Sequence, residues 1–183
     1  MLARRTLLAA SASFGISPAR AQSEVRAGWL GAYSGALAFY GSMPLEDIYP
    51  PPAQPHVDSD DRAPIATAFR LSQQDSGLAM WLRVDNGPME TATAGETLRF
   101  GPLDGGVAHL IAADAKPAPR SATLTVRPDS LGTEALFTHA DGSFWRRHFN
   151  VRFTPTGADL IVWVFDAAGT RARSWRGSAI KQA

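Results

Sequence analysis

Hydrophobic and polar positions alternate with a period of two along most of this chain. Gly, Pro, Asp and Asn break the alternation roughly every eight to twelve residues. Side chains two apart share one face of a strand, so the pattern predicts half-buried β-strands. Ten are expected, at 27–40, 64–72, 77–85, 95–101, 106–113, 119–127, 133–139, 143–154, 158–166 and 170–180. The breaks are turn chemistry: Gln74-Asp75-Ser76-Gly77, Asp85-Asn86-Gly87-Pro88, Asp104-Gly105-Gly106, Ala140-Asp141-Gly142, Thr156-Gly157 and Ala168-Gly169. Each supplies a residue tolerant of positive φ where a hairpin needs one. No window carries a 3.6-residue apolar stripe of helix length. The pattern predicts an all-β protein.

Short connections make consecutive strands antiparallel neighbours, an up-and-down meander. About ten such strands either close into a barrel or leave two long edges exposed. The first strand, Trp29 to Gly35, and the last, Ser174 to Ile180, both mix aromatics with glycine. Glycine inside a strand marks a bend or a close backbone approach, as at a barrel corner. Pairing strand one with strand ten gives a closed barrel; an open two-layer sandwich is the alternative. Residues 41–63 interrupt the rhythm with Pro44, Pro50, Pro51, Pro52 and Pro55 and the acids Asp58, Asp60 and Asp61. Loops of that length are usually functional or unstructured. This one is expected to be a Pro-rich lid across one end of the barrel, against the alternative of an insertion without a role.

Parity assigns faces. Trp29, Gly31, Tyr33, Gly35, Leu37 and Phe39 share one, as do Leu78, Met80, Leu82 and Val84. In strand eight, Trp145, Arg147, Phe149, Val151 and Phe153 stand together. Arg146, His148, Asn150 and Arg152 form the opposite, solvated set. Arg147 is the anomaly, one charge in an aromatic row. Burial without a partner would be costly, so it needs a carboxylate such as Asp166, an aromatic face such as Trp29, or the anionic end of a ligand.

Residues 1–21 change the picture of compartment. Arg4-Arg5, a mildly apolar run from Thr6 to Ile16, and Ala19-Arg20-Ala21 fit a secretory signal cleaved before Gln22. The arginine pair followed by Leu7-Leu8 resembles the twin-arginine type, with an ordinary secretory signal as the alternative. The apolar run is far shorter than the roughly 20 residues of a membrane span. Residues 22–183 then form a single barrel domain, expected in the periplasm. Removing three of the 18 basic residues and none of the 17 acidic ones leaves a mature charge of −2. That balance argues against a nucleic-acid partner. The chain has no cysteine, which excludes disulfides, thiolate metal sites and cysteine nucleophiles.

A ten-strand meander opening on Trp29-Leu30-Gly31 and closing on an Arg/Trp strand resembles the calycin barrels, the lipocalin, fatty-acid-binding and nitrobindin-like proteins. The resemblance implies a cavity for an apolar or amphipathic ligand. It departs from the lipocalin opening, since Gly28 directly precedes Trp29, and from the nitrobindin-like one at Tyr33. The closing segment 170–180 lacks the histidine a haem would need, so no cofactor is expected.

Other chemistry is sparse. His56 with Asp58, Asp60 and Asp61 has ligand types for a divalent cation, but a solvated acidic loop is the simpler reading, and no metal is expected. His109 shares parity with Val107 and Ile111 and is expected to enter the cavity; His139 shares parity with Ala135 and Phe137. Ser34 lacks the glycine and the strand-to-helix turn of a nucleophile elbow. Five tryptophans on five strands read as core and end plugs. The expectation is a non-enzymatic barrel holding a small apolar or amphipathic molecule against Trp29, Tyr33, Met80, His109, Trp145 and Arg147. The alternatives are a small barrel enzyme (isomerase, cyclase or hydrolase) using a cavity histidine with Arg147, and an accessory periplasmic protein with a filled core.

Overall fold

Ten antiparallel strands close on themselves in the order β1-β10-β9-β8-β7-β6-β5-β4-β3-β2 in the computed structural model. It describes residues 25–44, 63–75, 77–84, 95–138, 140–165 and 171–183. The strands are β1 Gly31–Pro44, β2 Ile65–Gln74, β3 Gly77–Val84, β4 Glu96–Phe100 and β5 Val107–Asp114, then β6 Ser121–Val126, β7 Ser130–Thr138, β8 Phe144–Phe153, β9 Gly157–Phe165 and β10 Arg171–Lys181. Every sequence neighbour pairs with the next, and β1 pairs with β10. The all-β meander and its closure are as the alternation and the edge argument require.

Two boundaries differ from expectation at the start of the chain. Ala27–Trp29 is a turn of 3₁₀-helix, and the first strand begins only at Gly31. That strand continues to Pro44, so 41–44 belong to the wall and not to a lid. Residues 45–62, which hold the rest of the expected lid with His56, lie outside the described residues. So do 1–24, which hold the expected export signal.

The β1–β10 seam explains the glycines in those strands. A Cβ on Gly35 would lie 1.9 Å from the Ser178 carbonyl oxygen, and one on Gly177 would lie 1.8 Å from that of Ala36. Only hydrogen fits where the two backbones cross this closely. The register shifts between Phe39 and Gly41, a bulge that bends the strand. Trp175 pairs with Phe39 just before the bulge, their rings 5.5 Å apart.

The barrel's two ends are unlike. Connections of a few residues (75–76, 101–106, 127–129 and 154–156) close one end. The other end takes the connections 45–64, 85–95, 115–120, 139–143 and 166–170. The inner wall is apolar: Leu37, Leu71, Leu98, Leu124, Phe137, Val162 and their neighbours are buried. The outer wall carries Arg70, Arg83, Glu134, Arg146, Arg152, Asp159 and Arg176, all exposed. No helix among the described residues is long and apolar enough to cross a membrane.

Candidate functional site

The end with short connections is sealed by aromatic stacking. The 3₁₀ turn delivers Trp29 onto Phe153, the rings 4.3 Å apart and 12° from parallel. Tyr33 donates its hydroxyl to the Trp29 carbonyl at 3.0 Å, and its ring stacks on Phe69 at 4.4 Å. Burial pushes the Tyr33 phenol up from its ordinary value of 10.0. Arg26 lies 5.7 Å above Trp29 on the outer side. Deeper in, Phe69 of β2 meets Phe149 of β8 edge to face at 5.8 Å. These strands are not neighbours in the wall, so the two rings meet across the lumen.

Toward the other end the lumen holds a buried charge pair. Arg147 donates from Nη2 to Glu96 Oε1, and both side chains are 0% exposed. Three strands, β5 to β7, separate β4 from β8, so this ion pair also spans the barrel. The Arg147 guanidinium carbon sits 5.1 Å from the centre of the Phe137 ring, and Phe137 stacks on Trp145 at 4.2 Å. The arginine is thus held by an acid and by an aromatic face, both of the kinds its parity demanded. The ring is Phe137 instead of Trp29, which lies at the sealed end. Asp166 falls outside the described residues.

Glu96 uses one of its two oxygens on Arg147. Its Oε2 is buried and has no hydrogen-bond partner, as does Thr133 Oγ1 on β7. Buried polar atoms are almost always paired, so an orphaned carboxylate oxygen inside an apolar barrel is unusual. Glu96 is not among the site residues expected from the sequence. A signal existed, because it shares parity with Leu98 and Phe100 and heads a strand whose inner face is otherwise apolar.

Five of the six expected site residues lie inside the barrel, in three groups. Arg147 and Trp145 stand together near the end with the longer connections. Met80, buried in β3 opposite Leu98 and Leu71, is part of the inner wall. Trp29 and Tyr33 plug the far end. His109 is a correction: its side chain is exposed and belongs to the outer wall. In β5 the buried inner residue is Ala108, which pairs with Leu124, while Ile111, of the same parity as His109, is 61% exposed. His139 lies outside the described residues, while His148 stands on the outer wall as expected, beside Phe165 and 3.7 Å from Glu134.

Among the described residues, grooves of about 280 Å³ mark the outer wall, one of them lined by Arg70, Ser72, Gln74, Trp81 and Thr97. Among the described residues no group of His, Asp and Glu is placed to hold a metal ion. No protein-family model, no curated protein and no solved structure matches the chain.

Proposed function

We propose that this protein is an exported, non-enzymatic barrel of calycin type that binds a small apolar or amphipathic molecule. The observation that carries the proposal is the polarity of the barrel. One end is plugged by Trp29, Tyr33 and Phe153, and the opposite half holds the buried Arg147–Glu96 pair with the Trp145–Phe137 stack beside it. Ligand sites are mostly apolar with a few convergent polar groups, and this half of the lumen has that composition. A charged outer wall around an apolar lumen is the reverse of a transmembrane barrel, which supports a water-soluble protein.

The Phe69–Phe149 contact across the lumen favours a second reading, an accessory protein whose core is simply filled. Native mass spectrometry of protein purified from its own periplasm separates the two. A small molecule retained at unit stoichiometry and lost in Trp145→Ala supports the binding barrel. A bare mass, together with no saturable uptake of a polarity-sensitive dye, would establish the filled core instead.

A further inference from the structure

Trp81 stands half-buried on the outer wall of β3, with parity opposite to the buried Met80 and Leu82. Contrary to the expectation for the tryptophans, it is neither core nor end plug. Its direct neighbours are Arg70 on β2 and Thr97 on β4. Two residues further along, Ala79 stands between Ser72 and Arg99. Ala79 points outward yet is only 4% exposed, so its short side chain floors a hollow between longer neighbours. This hollow is the groove of about 280 Å³ that Arg70, Ser72 and Gln74 line along β2. Gly95, with φ +84°, lies against the indole, and a Cβ there would come within 3.0 Å of Nε1. The ring therefore rests on bare backbone at that edge.

We propose that this groove binds an anionic saccharide, one or two sugar rings carrying a carboxylate or a phosphate, at a site separate from the lumen. The arginines carry the argument. Elsewhere on the outer wall Arg146 and Arg152 face Glu134 and Asp129, while Arg120 and Arg176 lie over the rings of Phe144 and Tyr40. Arg70 and Arg99 have neither kind of partner among the described residues. The nearest acids in register sit at the margins, Asp75 in the β2–β3 turn and Asp114 opposite Thr97 on β5. Guanidinium forks suit the paired oxygens of a carboxylate or phosphate. Trp81 adds a negative ring face for the C–H side of a sugar. Ser72, Gln74 and Thr97 can each donate to or accept from ring hydroxyls. A nucleobase would also stack on the indole, but it would leave those polar side chains with little to bind. The near-neutral chain, formally +1, supplies no basic field for a polynucleotide. The groove lies just below the roughly 300–1,000 Å³ usual for small-molecule sites, which matches one or two rings.

Titration of the wild-type protein with digalacturonate and, separately, with glucose 6-phosphate tests this at neutral pH. The readout is the set of five tryptophan indole N–H resonances, with Trp81→Phe assigning the one at the groove. The expected result is saturable movement of the Trp81 resonance with at least one of the two, weakening as salt is added. Whichever compound moves it identifies the anion as carboxylate or phosphate. Maltose, a neutral disaccharide, should bind at least tenfold more weakly. Arg70→Gln should weaken binding at least tenfold, and so should Ala79→Gln, which fills the hollow and keeps Trp81 and Arg70. Maltose binding as tightly, a thymidine dinucleotide binding more tightly, or movement that spares Trp81 would overturn the inference. So would no binding of either anion, or unchanged binding in both folded variants. If one variant does not fold, the other decides together with the wild-type ranking. The reading of the lumen stands or falls separately, on retention of a small molecule in the barrel.

Discussion

Replacing Arg147 by Met should destabilise the protein by about 3–5 kcal/mol, the usual consequence of removing one partner of a buried ion pair. The structure sets this magnitude in two ways. Glu96 and Arg147 are both 0% exposed, so solvent screens neither, and the remaining carboxylate would be left in an apolar lumen. Met retains much of the arginine stem and makes a sulfur–aromatic contact with Phe137, so lost packing adds little. Glu96→Leu should cost a similar amount by taking a buried carboxylate from beside the guanidinium. The double variant Arg147→Met/Glu96→Leu removes both charges together and should return close to wild-type stability, or exceed it by about 1–4 kcal/mol. In a domain of this length each kcal/mol moves Tm by about 2–4 °C, so the single variants should melt about 6–20 °C lower. Urea unfolding followed by tryptophan fluorescence measures the cycle, provided the m-value is unchanged. Single variants that lose less than about 1 kcal/mol, or a double variant no better than the worse single, would refute the reasoning. Either outcome would mean that the pair is hydrated or that the fold does not depend on it.

Three further outcomes are expected. Gly177→Ala puts a Cβ 1.8 Å from the Ala36 oxygen and should destabilise the β1–β10 seam by about 1–3 kcal/mol or more, whereas an unchanged urea midpoint would show that the seam can spread. Burial lowers His148 below its ordinary value of 6.5, against the opposing pull of Glu134 and with a smaller push from Arg146. The unfolded chain therefore binds more protons between the lowered value and 6.5, so stability present above that window is lost as pH falls through it. His148→Gln should flatten the stability difference between about pH 7.5 and pH 5, with a proton-NMR titration of His148 checking the direction of the shift. Finally, Arg4→Lys with Arg5→Lys should leave a precursor in the cytoplasm, and normal periplasmic accumulation would remove the twin-arginine route.

Alternation alone determined most of the wall. The inward rows of β3 and β8 follow directly from Leu78-Met80-Leu82-Val84 and Trp145-Arg147-Phe149-Val151, because a strand with one apolar face has only one stable orientation. Closure was also legible, since the glycines at 35 and 177 have no other use. Where parity is ambiguous, the sequence is silent. In Val107-Ala108-His109-Leu110-Ile111 no face is clearly polar, and only the register with β6, which sets Ala108 against Leu124, turns His109 outward. Trp29 has the parity of a strand residue, yet it stands in a 3₁₀ turn before the sheet begins at Gly31, and there it stacks on Phe153. Arg147's need for a partner could be stated from its neighbours, but the identity of that partner could not. Glu96 lies 51 residues away and four strands around the wall, and only closure of the barrel brings the two charges within reach. Local pattern reports which way a side chain faces; what it meets across the lumen depends on the curvature and stagger of all ten strands together.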